Sequence, residues 1–179
     1  MRSLMVVVGA LCAFGLGQHA AGQEAKDFRA SEDRIFECLT AADKQRRPDV
    51  DTRRLCIGQE TQRCWDSAEG DLRALKEFFC VSAEVVAWSA ILDRTYASLR
   101  QRVAKVDEEF AKLTMFDPPL VAALPLLATA HEAWLAGSVD CEVAAALVGP
   151  GTDRNVQPAR CSRDRIAERA LLYRQGLMY

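Results

Sequence analysis

The sequence predicts an all-α domain: a helical bundle of about five helices, stapled by disulfides, with two of the helices long and antiparallel. Three observations predict it. Apolar residues recur at steps of three and four through long stretches, which makes a continuous face at 3.6 residues per turn. Strand-like alternation does not persist over more than a few residues. Six cysteines beyond the N-terminal segment form an even set, as in disulfide-bonded exported domains.

The N-terminal residues are the first element. Arg2 is the only charge before Glu24, Leu4 to Leu16 is an apolar run broken by small residues, and Ala20-Ala21-Gly22 offers small side chains. A positive start, a short apolar core and a small-residue exit predict a secretory signal peptide over residues 1–22. Cleavage is placed after Gly22, with Ala21 or Ala25 as alternatives. The run is shorter than the roughly 20 residues of a membrane span. Cys12 lies inside the apolar core and follows Leu11, whereas a lipid-anchored cysteine follows a small residue, so Cys12 is read as part of the signal. Residues 23–179 then form a single domain, large enough for a core.

Five helices follow in order. The first runs from about Ala25 to Ala42, with Phe28, Ile35, Phe36 and Leu39 as its apolar positions. Pro48 and the charges around it mark a connection, and a second helix runs from about Thr52 to Ser67, ending near Gly70. Asp71 is placed to cap the third helix, since a carboxylate accepts bonds from the free amides of a first turn. That helix carries the strongest periodicity: Val81, Val85, Trp88, Leu92, Tyr96, Leu99, Val103 and Val106, with Asp93, Arg94, Arg100 and Gln101 opposite. Asp117-Pro118-Pro119 stops it. The fourth runs from near Ala123 to Leu147, with Pro125 tolerated in its first turn, and packs antiparallel to the third. Gly149-Pro150-Gly151 ends it. The fifth runs from about Pro158 to Leu177, burying Ile166, Ala170 and Tyr173.

The cysteines read as three disulfides rather than a metal site. Zinc sites use close pairs such as C-x-x-C, which are absent, and His131 is the one histidine beyond the signal. Cys56 and Cys64 are eight residues apart on one predicted helix, about 12 Å along its axis, beyond disulfide reach. Six cysteines allow 15 connectivities. The simplest scheme pairs Cys141 with Cys161 across the Gly-Pro-Gly turn, Cys64 with Cys80 across Gly70, and Cys38 with Cys56 across Pro48. Each closure is worth roughly 3 kcal/mol in the chain-entropy treatment.

Composition narrows function. The formal charge of −2, about −3 without Arg2, is unlike the basic footprint of a nucleic-acid binder, and no second apolar stretch is long enough to span a membrane. G-x-S-x-G, P-loop, H-E-x-x-H and dinucleotide signatures do not occur, so no catalytic residue and no cofactor are assigned and the chain is not read as an enzyme. His131 without a partner reads as a surface helix residue. The Asp107-Glu108-Glu109 cluster reads as a solvated face beside Lys105 and Lys112. Trp88 and Trp134 read as core. Candidate partner contacts are Trp65, the tryptophan expected to be partly exposed, Glu132, and Glu69 with Asp71 in the connection between the second and third helices. A rigid loop there could fill a cleft. The plainer reading is a simple connector.

The order and spacing of these landmarks resemble the LprI-type lysozyme-inhibitor family of small exported bacterial proteins. The residues that carry the resemblance are Cys56-Ile57-Gly58, Cys64, Gly70 and Cys80; Glu84, Trp88, Leu92, Tyr96 and Leu99 on the long helix; Ala130-His131-Glu132-Ala133-Trp134; and Cys141, Gly149-Pro150-Gly151, Cys161 and Arg169-Ala170-Leu171. It spans Cys38 to Leu172. The family usually shows Gln, then Arg or Lys, where this chain has His131-Glu132, and an aromatic-Arg pair where it has Ala136-Gly137. The resemblance implies a periplasmic or secreted protein that binds lysozyme, or another wall-active protein, and inhibits it. The alternative is an envelope protein that binds a small ligand or a wall component, which would show an apolar pocket between the third and fourth helices.

Overall fold

A computed structural model describes residues 28–44, 50–68, 73–113, 121–151 and 153–177. The expected signal segment, Pro48, Glu69, Gly70, Asp71 and Asp117-Pro118-Pro119 lie outside the described residues. Within them the chain is helical and contains no strand. Its elements are α1 (Glu32–Asp43), α2 (Val50–Arg54), α3 (Gln59–Ser67), α4 (Arg73–Phe110), α5 (Ala123–Ala136), α6 (Val139–Leu147) and α7 (Asp153–Gly176). The two extra elements arise because two of the five expected helices are each broken once.

The first helix starts at Glu32, later than Ala25. Ser31 is extended and its side chain accepts from the Arg34 amide, while Glu32 and Asp33 put acidic charge into the first turn, where the helix dipole favours it. Phe28 precedes this cap and packs on Phe79, ring centroids 5.0 Å apart.

The expected second helix breaks between Arg54 and Gln59. Gly58 sits there at φ +88°, a left-handed conformation that costs a glycine nothing and most other residues about 1 kcal/mol or more. Gly58 has no side chain to cap α3, so α4 supplies one. The Glu84 carboxylate accepts from the Gly58 amide at 2.7 Å and the Thr61 amide at 2.8 Å, and also from the Thr61 hydroxyl and, at 3.0 Å, from Trp88 Nε1. Glu84 and Trp88 are fully buried.

The expected apolar face of the long helix faces inward. Val81, Trp88, Leu92 and Leu99 are buried and Val85, Tyr96, Val103 and Val106 are half-buried, while Asp93, Arg94, Arg100 and Gln101 are exposed. The core joins Trp88, Ile91, Leu92 and Leu99 of α4 to Ile35 and Leu39 of α1, Cys56, and Ala167, Ala170, Leu171 and Tyr173 of α7.

The fourth expected helix is also two. It breaks at Gly137-Ser138, where the Gly137 amide donates to Ala133 and Trp134 and closes α5. A Cβ at Gly137 would lie 3.1 Å from Arg165 Nη2, so the break leaves room for an arginine of α7. The α5 segment runs antiparallel to α4, with Ala123 and Leu124 donating to Asp107 and His131 stacked on Tyr96. The second long helix is α7, and it runs parallel to α4: Glu77 pairs with Arg160, Tyr96 stacks near Tyr173, and Arg102 bonds Leu177. It begins at Asp153, five residues before the expected Pro158. Pro158 is its sixth residue, and the lost donor leaves only the Arg154 carbonyl without its helical partner. Val156, in the added turn, is buried.

The disulfides join Cys38 to Cys56, Cys64 to Cys80 and Cys141 to Cys161, the simplest scheme of the sequence analysis. They tie α1 to the turn after α2, α3 to α4, and α6 to α7. No helix among the described residues is long and apolar enough to cross a membrane.

Candidate binding site

The α5 helix has no lysine or arginine, so the cations at its carbonyls come from α7. Arg169 Nη2 donates to the Ala130 carbonyl at 2.8 Å, and Arg165 donates to the Trp134 carbonyl. Arg165 and Arg169 are four residues apart and so share one face of α7. Both guanidinium groups lie over the Trp134 ring, at 4.6 and 5.7 Å from its centroid. Trp134 itself is half-buried rather than interior.

Behind this pair is an aromatic stack. His131 lies 3.8 Å from the Tyr96 ring at 20° and its Nδ1 is 2.9 Å from Tyr173 Oη. Arg169 Nε donates to the same phenol oxygen at 2.9 Å. The phenol thus accepts from the guanidinium and is free to donate its proton to Nδ1, an arrangement that suits a neutral imidazole. Burial holds His131 below its usual pKa and the Arg169 charge adds to this. Asp93 and Glu132 oppose it, and Arg100 lowers it further. Burial likewise pushes the Tyr173 phenol up, against the pull of Arg169. His131 is therefore a packed, stacked residue, not the surface residue of the sequence reading.

A cleft of about 420 Å³ opens beside the arginine pair. It is lined by Arg53 and Arg54 of α2, Trp134 of α5, and Arg165, Glu168, Arg169, Leu171, Leu172 and Gln175 of α7. Arg53 is bound to Asp43 at 2.6 Å and Arg54 to Glu168 at 3.3 Å. Between α4 and α5 there is a shallower depression lined by Ala97, Arg100, Gln101, Ala104 and Leu124.

The outer faces of α5 and α6 are different in kind. The α5 helix buries no residue and α6 buries only Cys141. Leu126, Leu135, Val139, Val143 and Leu147 are all more than half exposed, and Val139, Val143 and Leu147 recur at steps of four along one side of α6. From Ala123 to Leu147 the charged residues are Glu132, Asp140 and Glu142, with no lysine or arginine.

Of the contacts expected from sequence, Glu132 is exposed on α5 and Trp65 is half-buried on α3, with Lys76 Nζ 5.1 Å from its ring centroid. They are not neighbours. Trp65 adjoins Lys76 and the His131 next to Glu132 adjoins Tyr96, twenty residues on along α4, about 30 Å. Glu69 and Asp71 lie outside the described residues. Sequence reasoning missed the cleft because its walls come from three elements. The i,i+4 spacing of Arg165 and Arg169 was the one local signal. Among the described residues no three of His, Cys, Asp and Glu gather as a metal site would require. No protein-family model, no curated protein and no solved structure matches the chain.

Proposed function

We propose that this chain is an exported protein-binding module, and specifically an inhibitor of lysozyme that docks through the outer face of α5 and α6. The observation that carries this reading is the apolar stripe of Val139, Val143 and Leu147 on α6, in a segment whose only charges are acidic. Contiguous exposed apolar side chains mark interaction surfaces. An acidic fringe speeds encounter with a basic partner such as lysozyme. Three disulfides fit an oxidising compartment, periplasmic or extracellular. The resemblance to the LprI-type family supplies the identity of the partner.

Cell-wall lysis by several lysozymes, with rising amounts of the oxidised protein, tests the reading. Inhibition should saturate near one-to-one and weaken with salt. Val143→Arg and Leu147→Arg place a repulsive charge on side chains that are 52 % and 82 % exposed. Each should weaken inhibition at least tenfold while leaving the thermal midpoint unchanged. Failure to inhibit any lysozyme class rules out this function, and full inhibition by both variants rules out this face.

A further inference from the structure

We propose that the cleft between α2, α5 and α7 binds a small organic anion, a carboxylate or phosphate monoester on a ring, with the charge held by Arg165 and Arg169 and the ring against Trp134. The charge balance of α7 points there. Arg160, Arg163 and Arg174 of the same helix each meet a carboxylate. Arg165 and Arg169 are half-buried, side by side, and neither is paired with a carboxylate among the described residues. Two adjacent cations over one indole repel each other, and an anion bridging them removes that repulsion.

Donor capacity remains for the bridge. A guanidinium offers five N–H groups in a planar fork suited to carboxylate and phosphate oxygens. Arg165 spends one donor on Trp134, and Arg169 spends two, on Ala130 and Tyr173. Those bonds fix the direction of both groups in advance, which lowers the ordering cost of binding. Arg54, also in the lining, is engaged by Glu168, so the charge of a ligand belongs with Arg165 and Arg169. The indole of Trp134 and the exposed side chain of Leu172 supply apolar wall for a ring. The volume of about 420 Å³ falls within the range of small-molecule sites, roughly 300–1,000 Å³.

The site uses side chains other than the α5–α6 stripe, so it stands or falls independently of lysozyme inhibition. The test is an NMR titration of the whole oxidised protein, following the indole N–H of each tryptophan and the arginine Nε–H groups. The probes are phenyl phosphate, benzoate, inorganic phosphate and benzyl alcohol, each up to about 10 mM, which detects dissociation constants into the millimolar range. Saturable shifts at Trp134, Arg165 and Arg169 are expected with phenyl phosphate and benzoate, with the tighter of the two identifying the head group. Inorganic phosphate should bind at least fivefold more weakly, and benzyl alcohol should leave the three signals unmoved. Arg165→Gln and Arg169→Gln should each weaken binding tenfold or more with the Trp88 signal in place, and Val143→Arg should leave it unchanged. Equal shifts with benzyl alcohol, shifts spread over exposed arginines such as Arg100, or no saturable shift in the unsubstituted protein would overturn the proposal.

Discussion

Two buried glutamates show how single residues carry the assembly. Glu60, 2 % exposed, accepts from the Ser31 amide at 2.8 Å and from Arg34 at 2.9 and 2.7 Å, and so pins the start of α1 to α3. Burial works to raise its pKa, but the bonds from Arg34 and Ser31 and the nearby charge of Arg63 outweigh burial and hold it below the ordinary value. A carboxyl whose folded pKa is depressed stabilises the fold above its unfolded pKa, about 4.5, and loses that contribution as pH falls through the folded value. His131 works the same way in a higher window. Its depressed folded pKa favours the fold above about pH 6.5, and the gain fades as pH falls through the folded value. Thermal midpoints measured from pH 7.5 to 3 should therefore fall in two steps. Glu60→Gln should remove the lower step and cost about 1–2 kcal/mol at pH 7, and His131→Gln should remove the upper one. Persistence of both steps in both variants would show that other groups set the acid response. Glu84, by contrast, was legible in the sequence only as a landmark of a resemblance. Its bond to Gly58, 26 residues away, joins two such landmarks into one cap, and no local pattern announces a contact at that separation.

At the scale of elements, helices were legible and their interruptions were not. Periodicity found the buried face of α4 because one stripe decides that helix's whole environment. The breaks at Gly58 and Gly137 escaped because a lone glycine is compatible with a helical pattern, and the interactions that select the break come from Glu84 and Arg165 on other helices. The early start of α7 escaped because Pro158 resembles a first-turn proline. The α5–α6 arm also exposed a limit of periodicity. A segment so rich in alanine and leucine reads as core, yet α5 buries nothing and Trp134 reaches only halfway in. An element with few buried contacts opens locally at low free energy. Amide hydrogens of α5 should therefore exchange at least a hundredfold faster than those at the centre of α4 around Trp88, with α6 slower than α5 because Cys141 ties it to α7. Equal protection in α5 and α4 would mean that the arm unfolds only with the whole domain.

For the molecule as a whole, the parallel arrangement of α4 and α7 requires the chain to travel back along its own length between them, and α5 and α6 are that return path. The contacts holding the two long helices together, such as Glu77 with Arg160 and Arg102 with Leu177, bridge 83 and 75 residues. Fold class and disulfide scheme were legible because they rest on composition and local spacing. The pairing of α4 with α7 was not, since the helix pattern of α7 is the same whether it lies beside α4 or elsewhere. The long-range pairing belongs to packing alone, because each disulfide closes a loop of only 16 to 20 residues.

That locality divides the chain covalently. Two bonds lie before the connection from α4 to α5 and one lies after it, and none crosses. A protease site introduced between Leu113 and Val121 would yield two separately oxidised pieces joined only through their interface. The cleaved halves should co-elute in native buffer and part in urea without reductant, and recombine on its removal. Halves that part in native buffer would show that the interface needs an intact chain. Halves that recombine would make the molecule a split reporter, whose fused labels signal only when the two pieces meet.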